Sequence, residues 1–250
     1  MRLLLNLYRK ELKTYFYTLF GWVVLAFVAL MQGYSLSTAM KGFTDTPVAK
    51  SLVYVTYHTP NFWFYFLFIF PLITMRLFAE EERSGTLETL LTAPVKTWHV
   101  VLAKYLAALT FYLVLLTPST LHFLLFPTLT DIAAPFSQGS FAGSIVIMIF
   151  MGAYFTALGL LGSALTSSQI VAGIITIGLL LIHFMLGYVP IIYGDSFQAA
   201  GLFNYLSSQQ HLSDFTTGLI DTRAILFYLL SSAFVVFLTH HLVDYRRWRN

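Results

Sequence analysis

Residues 80 to 88 hold four of the eleven acidic side chains of this 250-residue chain: Glu80, Glu81, Glu82 and Glu88, with Arg83 among them. Ser84, Gly85 and Thr86 follow the triplet, and Pro94 closes the segment. The remaining residues able to do chemistry are few. No G-x-x-x-x-G-K-[ST] loop is present, so the chain has no backbone cradle and lysine for nucleotide phosphates. H-E-x-x-H and D-x-D patterns are also absent, and with no cysteine there is no disulfide, thiolate metal site or thiol nucleophile. His122 and His183 fall in apolar segments and could hold a haem iron between helices. Bundles of that kind repeat histidines at regular depth on paired helices, whereas these two stand alone. Hydrogen bonding between helices is the better reading for them. His240 and His241 sit at the end of the last apolar segment, where a helix C-terminus favours a cation. No catalytic or metal-ligating set emerges.

The elements that must position these residues are membrane helices. The composition is 58% hydrophobic, 17% aromatic and 10% charged, against about 25% charged in soluble domains. A bilayer-crossing helix needs about 20 mostly apolar residues. Six segments meet this: about 18–38, 61–78, 99–127, 141–166, 169–190 and 223–243. The second has seven aromatics in the nine positions 62 to 70, and Pro118 predicts a kink in the third. Thr166, Ser167 and Ser168 form the turn of a tight hairpin between the fourth and fifth. The N-terminus MRLLLNLYRKELK has an apolar run of only Leu3 to Leu5, and no small-x-small site is well placed after Thr18. That stretch therefore reads as a retained span.

Six spans place both termini on one side. Eleven of the 14 Lys and Arg residues lie there: Arg2, Arg9, Lys10, Lys13, Arg76, Arg83, Lys96, Lys104, Arg246, Arg247 and Arg249. Lys41, Lys50 and Arg223 lie on the other side. The positive-inside rule puts the termini and the 78–98 loop in the cytoplasm. Nothing forms a nucleic-acid stripe. In residues 2–17, Leu4, Leu5, Leu7, Tyr8, Leu12, Tyr15 and Phe16 recur at helical spacing opposite Arg2, Arg9 and Lys13. That pattern predicts an interfacial amphipathic helix with its cations at the lipid headgroups. The outside segments 39–60 and 128–140 read as loops. Segment 191–221 is too apolar for a free loop and predicts short helices dipping into the outer leaflet.

Ion-driven carriers need ionisable groups at membrane depth. Here Asp45, Asp131, Asp195, Asp214 and Asp221 all fall in outside loops, which weakens that reading. Arg76 ends the second span and can pair with Glu80 four residues on. Gly139 with Gly143, Ala153 with Ala157, and Gly159 with Ser163 are small-xxx-small pairs, which favour close packing within the chain.

In the acidic segment itself, Leu87, Leu90 and Leu91 give a short helix one apolar face. Gly85 caps or interrupts the approach from span two, Pro94 ends the helix, and Thr97 caps span three. Such a segment is either a solvated loop with caps or, being held at both ends by spans, a lever. "FAEEERSGTLETLLTAP" resembles the E-E-[RK]-x-x-G-T-x-E-x-L-L-x-[SA]-P signature of bacterial ABC-2 type permeases. The N-terminal helix, six spans, tight hairpin and outside helices agree with that family along the chain. "DFTTGLIDTRAILFYL" at 214–229 is similar to the gliding-motility and nitrous-oxide-reductase-maturation permeases. "LAKY" at 102–105 departs from relatives that carry Gly where Ala103 stands.

The resemblance implies an all-α membrane protein forming one domain over 1–250. It has an interfacial elbow helix at 2–17, six transmembrane helices, and a cytoplasmic coupling helix at about 80–94 between spans two and three. It implies a permease subunit of an ATP-driven exporter in the bacterial inner membrane, paired as a homo- or heterodimer. Separate ATPase subunits would carry ATP and Mg, so this chain needs no cofactor. Glu80, Glu81, Glu82, Arg83, Gly85, Thr86, Glu88 and Pro94 become the docking and transmission residues, with the carboxylates meeting basic or amide groups of the ATPase. A gliding-type anchor that transmits force without transporting is the alternative within the fold. A His-ligated haem protein and an ion-coupled carrier are the alternatives outside it.

Overall fold

The computed structural model describes residues 2–45, 50–87, 95–129, 137–189, 192 and 200–249. Every regular element among them is a helix. In chain order these are α1 (Arg2–Phe16), α2 (Leu19–Asp45), α3 (Leu52–Tyr57), α4 (Pro60–Thr74), α5 (Ala79–Arg83), α6 (Thr97–Leu115), α7 (Thr117–Leu129), α8 (Gln138–Ala164), α9 (Gln169–Leu186), α10 (Ala200–Leu206), α11 (Ser208–Thr216) and α12 (Thr222–Arg249). Among the described residues, five stretches are long and apolar enough to cross a membrane: Leu19–Gly42, Thr97–Phe126, Gln138–Ala164, Gln169–Leu186 and Thr222–Arg246.

The predicted second span is shorter than its sequence suggested. α4 starts at Pro60, behind Thr59, whose hydroxyl accepts the Phe62 N–H, and it ends after 15 residues. Pro71 removes one internal hydrogen bond near its end, and a turn over 75–78 that carries Arg76 follows. The third span is interrupted at Leu116, two residues before Pro118, so α6 and α7 meet at a break. α2 runs on to Asp45, beyond the expected end near residue 38. Segment 39–60, expected to be an outside loop, thus contains helix, including α3, while 46–49 and 130–136 lie outside the described residues.

α8 is the centre of the bundle. Of its apolar window 61% is buried, against 28% for α2, α9 and α12. Glycine makes this position possible. A Cβ on Gly152 would stand 2.0 Å from the Tyr112 ring, one on Gly159 2.1 Å from the Thr74 hydroxyl, and one on Gly143 2.2 Å from the Phe215 carbonyl oxygen. The small-residue stripe is therefore filled by α6, α4 and α11 of the same chain. The aromatic run of α4 divides by face. Phe62, Phe66 and Phe70 are buried, with Phe70 5.1 Å from Tyr112 and 5.2 Å from Phe155 between ring centres, whereas Phe64 and Phe68 are exposed.

The apolar segment before α12 forms two short helices, α10 and α11. α11 is docked by a buried polar network. His183 Nε2 lies 2.7 Å from Ser208 Oγ, the Tyr228 hydroxyl donates to the same oxygen at 3.0 Å, and His211 Nδ1 lies 3.1 Å from that hydroxyl. Residues 190–191 and 193–199 lie outside the described set.

Candidate functional site

The acidic triplet is held by helices distant in sequence. α5 begins without a side-chain cap of its own. Its first amides are capped instead from α8: Ser163 Oγ accepts the N–H groups of Phe78 at 3.0 Å and Ala79 at 3.2 Å, and donates to the Met75 carbonyl at 3.1 Å. α5 ends at Ser84, and Gly85 follows with φ +69, the left-handed conformation that glycine adopts without a Cβ penalty. Arg83, Ser84, Gly85 and Thr86 are exposed, and the chain turns back at Leu87, which is buried. The result is an exposed tip on an anchored base. Of the predicted site residues, Glu88 and Pro94 lie outside the described residues, as does the rest of the 88–94 stretch of the expected helix.

Each glutamate of the triplet has a different partner within the chain. Glu80 forms a bidentate pair with Arg76, at 2.9 Å to Nε and 3.2 Å to a terminal nitrogen, as the four-residue spacing predicted. Glu82 pairs with Arg246 near the end of α12. Glu81 points inward to Lys104 of α6, 2.9 Å from its Nζ, and Lys10 of α1 stands 3.5 Å from the same carboxylate. Lys104 is 2% exposed and has a second partner, Glu11 of α1, at 3.1 Å. Glu81 Oε2 accepts no aligned hydrogen bond, so its contact with Lys104 is ionic in character. A lysine two turns inside a membrane-length helix costs several kcal/mol unless it is paired. Two carboxylates from two other elements satisfy it here.

α1 lies along α6 and is fixed by more than charge. The Tyr15 ring stacks on Phe111 at 4.5 Å, and its hydroxyl donates to the Ile73 carbonyl. Burial, reinforced by Glu11, pushes this phenol well above its usual range. Tyr8 and Thr110 share a hydrogen bond at 3.0 Å. Much of the apolar face predicted for lipid therefore covers α6 and α4, while Leu3 and Leu5 stay exposed. Arg76, Glu80, Glu81, Lys10, Glu11 and Lys104 share the wall of a cleft of about 160 Å³ between α1 and the base of α5.

One expectation changes. Thr97 does not cap α6. Lys96 occupies the cap position without a side-chain bond, and Thr97 Oγ1 donates to Asp244 Oδ1 at 2.7 Å, tying the start of α6 to α12. Trp98 stacks on His240 at 4.1 Å beside it. The two histidines weighed as a ligand pair face different neighbours: His183 bonds Ser208, and the His122 ring faces Gly33 of α2. No group of three or more potential metal ligands occurs among the described residues.

Sequence reasoning missed Lys104, Glu11, Arg246 and Ser163 as members of this site. Lys104 alone had a readable signal, a single cation amid LAKYLAAL that demands a counter-charge. The sequence matches the family described as ABC-2 family transporter protein over residues 5–238. No individual curated protein matches the chain.

Proposed function

Because the chain belongs to the ABC-2 family of transporter proteins, and is thus a multi-pass membrane component without catalytic residues of its own, we propose that it is the permease subunit of an ATP-driven exporter. Two permease copies, or this chain and a paralogue, stand in the inner membrane with both termini in the cytoplasm. Each contributes six crossings, the short α4 serving as the second. Separate ATPase subunits bind ATP and Mg. They dock on the tip at Arg83, Ser84, Gly85 and Thr86 and on the following residues through Glu88 and Pro94. Closure of the ATPase pair pushes the tips, and the helices beneath tilt to open a path outward.

One observation carries this reading beyond family membership. The tip is exposed, while its base is joined to α8 through Ser163, to α6 and α1 through Glu81, and to α12 through Glu82. A loop serving only as a connection needs no such anchorage, whereas a loop that receives force does. The triplet takes a positioning role in this proposal. Glu80, Glu81 and Glu82 stiffen the base from within, and Arg83, Ser84 and Thr86 present the contact surface.

The test is co-expression with candidate ATPases followed by affinity purification of this chain. Arg83→Glu with Gly85→Val alters the tip without touching the ion pairs beneath it. Loss of ATPase recovery and of permease-stimulated hydrolysis is expected. If both survive unchanged in a folded variant, the tip is not the docking surface.

A further inference from the structure

Lys104 joins three elements that are far apart in sequence. Glu11 is 93 residues before it on α1, Glu81 belongs to α5, and Lys104 itself sits on α6. The lysine is buried, and the side chains of Glu11 and Glu81 are only 13% and 15% exposed. Lys10 adds a second cation, 3.5 Å from Glu81 and 3.8 Å from Glu11. The group thus holds two positive and two negative charges and is neutral. Neither carboxylate can leave alone without stranding part of a buried charge. Sliding α5 past α1 would require breaking one of the Lys104 contacts while the lysine stays buried.

We propose that Lys104 is a positioning residue, the pin that makes α1 and the base of the tip one moving part. A push on residues 79–87 is then delivered to the N-terminal helix as well as to the two helices that flank the loop. α1 is an output of the tip rather than a passive float at the membrane surface. The consequence rests on the force-receiving role proposed above, but the rigid join does not.

The chain has no cysteine, so Lys13→Cys with Arg83→Cys gives two unique, exposed spin-label sites, one on α1 and one at the tip. The full-length chain in lipid nanodiscs is measured by double electron–electron resonance. A single narrow distance distribution is expected. Glu11→Gln removes the charge that α1 offers to Lys104 while leaving the Lys104–Glu81 contact, and at least a twofold broadening is expected. Lys104→Met should broaden it at least as much. The neutral triple variant Glu11→Gln, Glu81→Gln, Lys104→Met retains side-chain volume without stranding a charge, and keeps the test decisive if a single variant fails to fold. Broadening in the triple variant supports the pin. A distribution as narrow as the parent's shows that apolar packing holds the two parts, and overturns it. The nanodisc measurement needs no ATPase, so failure to recover one counts against the exporter assignment and not against the pin.

Discussion

Replacing Ser163 by alanine removes one hydroxyl and leaves volume almost unchanged, yet it is expected to loosen an element some 85 residues earlier in the chain. Ser163 Oγ is the only acceptor for the Phe78 and Ala79 N–H groups among the described residues, and it also donates to the Met75 carbonyl. Ser163, Phe78 and Ala79 have no exposed surface. A buried donor left unsatisfied costs about 1–3 kcal/mol. Two donors, with partial relief as the turn shifts toward water, give about 2–4 kcal/mol for Ser163→Ala. Ser232→Ala is the control. Its hydroxyl donates to the Tyr228 carbonyl of its own helix and faces Tyr105, whose hydroxyl keeps the Ala153 carbonyl as acceptor, so its removal strands no donor, and the loss should stay within about 0.5 kcal/mol. Equilibrium unfolding by steric trapping in bicelles measures both variants. Hydrogen exchange at Phe78 and Ala79 supplies the local readout and should accelerate in Ser163→Ala alone. If Ser163→Ala and Ser232→Ala lose stability equally, or if the two amides keep their protection, Ser163 does not cap α5.

Gly143→Ala would place a methyl 2.2 Å from a backbone carbonyl that has no rotamer to yield. It should lower stability by about 1–3 kcal/mol in thermal melts of the solubilised protein, whereas Gly178→Ala, with nothing near its Cβ, should be neutral or slightly stabilising. Gly85→Ala at φ +69 should cost about 1–2 kcal/mol, with much of it recovered by Gly85→Asn, and limited proteolysis of the tip should rank the three. Burial holds His211 down to about 4, with Asp221 opposing. The folded state therefore resists protonation that the unfolded chain accepts below its ordinary value near 6.5. Its contribution is fully present above about 6.5 and lost as pH falls to about 4, worth about 3 kcal/mol. Melting temperature measured across that window should fall less steeply with acidification in His211→Gln than in the parent.

The helices were legible where apolar length and punctuation agree. The hairpin turn at 166–168 ends with Ser168 capping α9, and Gly85 takes the turn conformation its position suggested. The small-residue pairs were legible as packing because little except another helix can fill such a notch. What stayed hidden is long-range. Three consecutive glutamates look alike; the four-residue spacing gives Glu80 to Arg76, but nothing local says that Glu81 faces Lys104 and Glu82 faces Arg246. Thr97 looked like a cap because Pro94 precedes it by three residues, but Lys96 holds the cap position, Thr97 is the first helical residue, and its hydroxyl donates to Asp244 across the bundle. α4 looked like a full span because hydropathy counts Met75 to Phe78 as membrane, whereas Pro71 and Arg76 bring the chain out of helical order there.

The borrowed cap on α5 also sets an order of events during synthesis. Ser163 is translated 85 residues after Phe78, and Arg246 lies 164 residues beyond Glu82. At about 5–20 residues per second, roughly 4–17 s separate the emergence of the acidic triplet from the arrival of its cap, and Arg246 follows later still. Until α8 is in place, the amides that open α5 have no acceptor and its fold stays incomplete. The tip is finished only on a chain whose late helices are already assembled. Half-made copies therefore lack the cap at the base of the tip, which one serine late in the chain supplies.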